Sequence, residues 1–521
     1  MIIVLMIQTE LFKTVPIHRF SLLSKEELIE YIELQQKVNE KFSKEVTRLR
    51  SLNNELEEKT LFVDEQYINI KNKLFGKSSE REPSEEDKRK ARSQGKRRKK
   101  KVQLPSLRYP NAPLIERDVD FENAPECPCC NKETKDTGMT ENSEYLTVIP
   151  AKHMVVRQKR HIYGCGNCHG SLITAPCPPR IKSGGSFSDE MVIDVAMSKY
   201  CDLIPVERYS SIAGRGGLAD LPPQSLIEQT HYLADFVKES YDKLKDELSR
   251  ERVLHADETP HRMLEGSRNP NWYLWGFSSQ TASYFDIRNT RSGDVASQFL
   301  NKSNCEYLMS DVFSGYAKAV RETNNERKNN KKSSIINIYC NAHARRKFKE
   351  AKEKFPEEAK PFIDLYKKIY RLEKIAKERP PNRVLRVRRI MAPLFEKMKD
   401  RAFTNYAAYS TKSSIGKAMS YFLKNYKAFT TFIDNRELPI DNNSQERLLR
   451  SPVVGRKTWY GTHSKRGAKT AAILFSLVES CKLNKINPRK YFKELIQFLH
   501  QGKLSFTPNE FKNLFHVNLK N

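Results

Sequence analysis

The sequence predicts an α/β fold with helical additions and a metal-binding module, and three observations carry that prediction. Between residues 246 and 350, short runs rich in aromatic and β-branched residues are interleaved with helical patterns. Two Cys-x-x-Cys pairs precede this region. Long stretches on both sides of it step by three and four residues, the period of a helix. At 521 residues the chain is too long for one ordinary core, so two to four domains are expected. The formal net charge of +28 favours a polyanionic partner, nucleic acid or an anionic membrane surface. No run of about 18 apolar residues exists, which argues against a membrane span. The apolar start, Met1 to Ile7, is short and lacks a basic flank and a small-residue cleavage site, so a signal peptide is not expected.

The elements follow in chain order. From Leu28 an apolar heptad runs through Tyr31, Val38, Phe42, Leu49, Leu52, Leu56 and Val63, with Glu- and Lys-rich flanks and no Gly or Pro. It reads as a coiled coil, and hence as self-association, or as a long amphipathic helix packed on its own chain. Gly76 suits its C-terminal end. The cationic block from Lys88 to Lys101 repels itself and reads as a solvated linker that is also able to track phosphates.

Cys127-Pro-Cys-Cys130 and Cys165-Gly-Asn-Cys168 are two knuckles. Each brings two thiolates onto one tight turn, so Cys127, Cys130, Cys165 and Cys168 are a candidate four-thiolate Zn²⁺ site. Cys129, His161, His169 and Cys177 could replace any one ligand. The run Met154 to Tyr163 is expected to form a hairpin leading to the second knuckle. Cysteines clustered in this way, in a chain with no expected secretion signal, point to metal binding in a reducing cytoplasm. A helix capped by Ser188 or Asp189, a second from Val206 to Ala213, a Gly-rich turn and a third from Pro223 to about Leu248 fit either a helix-turn-helix-like unit or a plain helical connector.

Next come strands at Val253 to Pro260, Asn271 to Phe277 and Ala282 to Ile287. A helix from Ser292, a strand from Glu306 to Phe313, a helix from Ser314 and a strand from Ile335 to Cys340 complete the series. Three strands, a helix, a strand, a helix and a strand is the order of an RNase H-like core. Asp257 and Asp311 fall on two of these strands. Neighbouring strands lie about 4.8 Å apart, so acids on them can share metal ions. Two divalent ions, Mg²⁺ (or Mn²⁺), would suit such carboxylates and an in-line phosphoryl displacement. Basic helices expected at Phe362 to Lys377, Val384 to Arg401 and Ser414 to Asp434 form an insertion before the next acid. Glu446 then stands in a helix capped by Asp441 or Asn442, among Arg447, Arg450, Arg456 and Lys457. These cations can position phosphates, while Trp459 and Tyr460 either stack on unpaired bases or belong to the core.

Leu74-Phe-Gly-Lys-Ser-Ser-Glu-Arg81, the knuckles, Ala256-Asp-Glu-Thr-Pro260, Ser310-Asp-Val-Phe-Ser-Gly-Tyr316, Cys340-Asn-Ala-His-Ala-Arg-Arg-Lys-Phe348 and the Pro439 to Tyr460 stretch with its Gly455-Arg-Lys457 occur in this order. Together they resemble an IS66-type insertion-sequence transposase, a DDE enzyme. The resemblance implies that Asp257, Asp311 and Glu446 are the catalytic triad, with Glu258 and Asp441 the neighbours most easily confused with it. It further implies cleavage at element ends, strand transfer into target DNA, work as an oligomer and help from small accessory proteins of the same element, with the protein on the nucleoid of a bacterial cytoplasm. Cys340 and His343 resemble the family's Cys-x-x-His pair, read as structural because two further ligands are not evident nearby. Asn341 stands where the family often has an aromatic residue. A nuclease without strand transfer and a non-catalytic zinc-containing DNA-binding protein are the alternatives.

The chain thus divides into a coiled-coil helix (1–80), a basic disordered linker (81–115), a zinc-binding module (116–180), a helical DNA-binding domain (181–245), the first part of an RNase H-like core (246–350), a helical insertion (351–435), and the second part of the core with C-terminal helices (436–521).

Overall fold

The computed structural model describes residues 172–264 and 271–515 without a break, residues 153–163, and shorter pieces between 24 and 147. Cys127, Cys130, Cys165 and Cys168 lie outside the described residues, as does the Lys88 to Lys101 block. Two compact units are present, Met1–Leu104 and Pro105–Asn521. In the first, the described positions among residues 25–52 are helical, and Leu49 and Leu52 are exposed. In the second, β1 (Ile162–Tyr163) pairs antiparallel with β2 (Ile173–Thr174), a far shorter hairpin than the Met154 to Tyr163 run suggests.

Four helices come next: α1 (Asp189–Tyr200), α2 (Val206–Arg215), α3 (Pro223–Phe236) and α4 (Lys238–Ser249). Ser188 caps α1 by accepting the Met191 amide, as expected of a short hydroxyl side chain. The third expected helix is broken at Val237 into α3 and α4. The apolar faces of α1, α3 and α4 (Val192, Ile193, Leu233, Leu244, Leu248) share one core with Leu254, Ala256 and Leu274 of the sheet. These helices therefore pack as part of the same body as the sheet.

The sheet contains β3 (Val253–Arg262), β4 (Asn271–Ser278), β5 (Ser283–Arg288), β6 (Tyr307–Ser310) and β7 (Ile336–Tyr339), in the order β5-β4-β3-β6-β7. β3, β4 and β5 form an antiparallel meander, and β3, β6 and β7 run parallel. Helix α5 (Asp294–Leu300) leads to β6, and α6 (Ser314–Asn329) links β6 to β7. This is the element order read from the sequence, and the fold is α/β. β6 is shorter than expected: Asp311 lies one residue past its end.

Alternation along the strands separates two faces. One is covered by α5 and α6, where Phe277 stacks on Phe299 with centroids 4.2 Å apart and Trp275 meets Tyr316 edge-on. The other is divided. Helix α13 (Asn443–Trp459) lies across β3 and β4. On the β6–β7 side, Met309 and Ile338 join a second core built from α7 (Asn341–Ala351), α8 (Pro356–Glu378), α10 (Ala392–Tyr406), α11 (Ser414–Lys424) and α12 (Tyr426–Thr430). Helix α9 (Pro381–Arg389) completes this layer. The expected Val384 to Arg401 helix is two helices, because the chain turns at Ile390 and Met391 and Pro393 sits in the first turn of α10 rather than kinking a helix. The chain closes with α14 (Lys465–Leu483), α15 (Pro488–His500) and α16 (Pro508–Leu514). The edge strand β5 does not remain open: Ser476 and Ser480 of α14 accept the Phe285 and Ser283 amides.

Candidate active site

Asp257 and Asp311 are brought together by strand register. β3 and β6 pair parallel through Val253↔Tyr307 and His255↔Met309. Two residues further on, the same register sets Asp257 beside Asp311 on the divided face, where α13 and the second core meet. Glu258, the next residue, must point the opposite way. It does so with a nearly buried side chain. Arg291 donates to Oε1 (2.9 and 2.6 Å) and the Tyr316 hydroxyl donates to Oε2 (2.7 Å). Asp441 is engaged as well, accepting the Asn443 amide and side chain. The two acids most easily confused with the triad thus have structural partners.

Glu446 enters from the first turn of α13, where free amides favour a carboxylate. Its position depends on how α13 meets the sheet. Asn442 occupies the N-cap place, but its carboxamide does not cap the helix. Instead it is fully buried and tied to β3: Nδ2 donates to the Ala256 carbonyl (2.9 Å) and Oδ1 lies 2.8 Å from His255 Nδ1. Its amide donates to Cys340 Sγ (3.2 Å). One turn on, Gln445 accepts the Ser278 hydroxyl (2.5 Å) and reaches over Gly276, the cross-strand partner of Asp257. A Cβ at Gly276 would stand 2.2 Å from Gln445 Nε2, so this approach requires glycine. His255, Asn442, Gln445 and Gly276 were not singled out as site residues from the sequence. Period two along β3 already places His255 on the Asp257 side; the other three depend on packing across some 170 residues.

Electrostatics sets the two aspartates apart from surface carboxylates. Burial, then the charges of Glu258 and Asp311, with Glu446 adding to them, push Asp257 up to about 8. Asp311 is also raised by burial, against the pull of His343, Arg291 and the Phe313 amide. Glu446 faces α7, 3.7 Å from both His343 Nδ1 and Arg346 Nη2. A half-buried group of like charges is what divalent cations relieve, and carboxylate oxygens are the donors that Mg²⁺ and Mn²⁺ take.

The residues expected to meet DNA fall into two groups. Arg447, Arg450, Lys457 and Tyr460 are exposed along and just after α13. Trp459 instead stacks toward Phe475, lies edge-on to Tyr200 and beneath the Lys199 ammonium, and fills the space Gly455 leaves. Its partly buried indole therefore packs against the core. Arg456 is half-buried and faces Thr259. Arg466 is paired with Glu228 and Asp235 of α3. Asn341, the departure from the family's aromatic residue, is buried and fully used: it donates to the carbonyls of Phe429 and Ile440 and accepts from Tyr366.

A profile of the Transposase IS66 family matches residues 184–470. The chain is also similar to two proteins of Sinorhizobium fredii (strain NBRC 101917 / NGR234). One is "Uncharacterized protein y4jD", 26% identical over 411 residues, covering 76% of this chain and 78% of that protein. The other is "Uncharacterized protein y4hP", 24% identical over 416 residues, covering 75% and 73%. The profile match spans the whole sheet, the inserted helices, α13 and all three acids, and takes in more than half of the chain, which therefore belongs to the IS66 family of transposases, DNA-binding and DNA-cleaving enzymes.

Proposed function

We propose that the chain cuts DNA at the ends of an insertion sequence and joins the 3′-OH to target DNA, using Asp257, Asp311 and Glu446 as one metal-dependent site. The observation that carries the reading is the parallel register of β3 and β6, which sets the two aspartates side by side where α13 delivers the glutamate. A five-stranded sheet in which only β4 runs against the others supports an RNase H-like core.

The crowded carboxylates fit two Mg²⁺ (or Mn²⁺) ions. When bound, such a pair supplies an activated nucleophile and neutralises charge on the phosphate. The protein's own residues do the rest. Asp257 holds a fixed position within β3 and Asp311 one just past the end of β6, and the Asn442 and Gln445 contacts fix the approach of Glu446. Arg447, Arg450 and Lys457 would hold the phosphodiester backbone beside the acids, Arg456 would act from its half-buried place, and Tyr460 is the aromatic free to stack on an unpaired base. Water and then the 3′-OH serve as nucleophiles in two successive displacements at the same site. The heptad of residues 28–63 supports homo-oligomers on paired ends, and the cysteine knuckles support a Zn²⁺ module. Accessory proteins of the same element and a nucleoid location complete the reading; no helix among the described residues is long and apolar enough to cross a membrane.

The test is cleavage and joining of element-end DNA by Asp257→Asn and Glu446→Gln. Loss of both products in each variant is expected. Full activity in either overturns the assignment, and cleaved but unjoined product from the wild-type chain would reduce the function to a nuclease.

A further inference from the structure

Cys340 and His343 have a third partner that their spacing alone does not reveal. The thiol sulfur of Cys340, an imidazole nitrogen of His343 and a carboxylate oxygen of Glu446 all lie within 4.8 Å of one another. His343 Nδ1 and Glu446 Oε1 are both buried atoms without a hydrogen-bond partner, 3.7 Å apart. That is too far for a hydrogen bond. It is close to the separation of roughly 3.4 Å expected of two ligands about 2.0–2.1 Å from one tetrahedral ion.

The surroundings of the sulfur favour a metal thiolate. Cys340 stands at the N-terminus of α7 and is fully buried. The amides of Asn442, His343 and Ala342 all point at Sγ. Amides aimed at a ligand atom in this way orient it and stabilise its charged form. A bound cation is what would deprotonate the thiol.

We infer that Cys340, His343 and Glu446 form a site for one thiophilic divalent cation, with Zn²⁺ as its occupant and a fourth position open to water. Sulfur, imidazole and a single carboxylate select Zn²⁺ over Mg²⁺, which takes oxygen ligands. The three ligands of this site are none of the four knuckle cysteines. It shares Glu446 with the proposed triad, and on that reading a Zn²⁺ held by α7 draws Glu446 away from Asp257 and Asp311. Zinc would then oppose the magnesium-supported reaction.

The test measures binding in the full-length chain, without DNA or turnover, so it stands or falls independently of the transposase reading. Zinc retained per chain after dialysis is compared for wild type, Cys340→Ser and His343→Ala, with Co²⁺ loading as a second readout. Each variant is expected to hold one zinc equivalent fewer than wild type, whatever the knuckles contribute. Cys340→Ser should also lower the thiolate-to-cobalt charge-transfer band. Should the buried Cys340→Ser chain fail to fold, the partly exposed His343→Ala decides. Zinc content equal to wild type in a folded variant overturns the inference.

Discussion

At the scale of single residues, the decisive distinction is between Asp257 and Glu258. They are adjacent in sequence and opposite in role because a strand turns successive side chains to opposite faces. That much was legible in the sequence. Which face carries the partners was not, since Tyr316 and Arg291 arrive from elements 33 to 58 residues downstream. His261 shows a residue effect that can be measured through pH. Burial, with the charge of Arg456 adding to it, pushes its imidazole from 6.5 down to about 4, and its Nε2 lies 3.0 Å from Thr462 Oγ1 in the turn after α13. Between these values the unfolded chain holds more protons than the folded one. The stability gained by keeping His261 neutral is therefore complete above 6.5 and is lost as pH falls toward 4. On going from pH 7.5 to pH 5, the wild type should lose about 2 kcal/mol more of its unfolding free energy, measured by urea unfolding, than His261→Gln loses. Equal losses in the two proteins would contradict this.

At the scale of elements, α13 is the part on which the site depends. Its helical character, its acid and its flanking cations could be read directly from Asp441 to Tyr460. Its seating could not. Asn442, one of the two residues expected to cap the helix, is instead a strut between β3 and α7, a role that depends on the His255, Ala256 and Cys340 positions. Gly276 carries the other half of that seating. Gly276→Ala drives a methyl group against Gln445 and the Phe285 ring, and Gln445 is buried with its oxygen held by Ser278. The substitution should destabilise the protein by about 1–3 kcal/mol. It should also lower cleavage activity, since Glu446 is the next residue along the helix. Thermal unfolding and activity both at wild-type values would show that α13 does not rest on this contact.

At the scale of the whole molecule, 135 residues separate Asp311 from Glu446, and the inserted helices must bring the chain back to the sheet. The periodicity of the sequence predicts the helices themselves; their docking rests on an ion pair that no local pattern signals. Arg388 of α9 is 4% exposed and bonds Glu373 of α8 through two nitrogens (2.9 and 2.6 Å). It also reaches the carbonyls of Phe432 and Asn435, just before the return to α13. Arg388→Met leaves Glu373 buried and unpaired and should cost about 3–5 kcal/mol, of which adding Glu373→Leu should restore a large part. Chemical denaturation of the single and double variants checks this, and a double variant no more stable than Arg388→Met would contradict it.

The central claim, that three acids act as one site, is tested most directly by comparing Asp257→Asn, Glu446→Gln and the double variant in strand cleavage of element-end DNA with Mg²⁺. Residues that act as a unit are not additive. Each single substitution is predicted to lower the rate by roughly a thousandfold or more, with the double variant no slower than the worse single one. A double variant slower by the product of the two single effects, or a single variant that cleaves at the wild-type rate, would contradict the account.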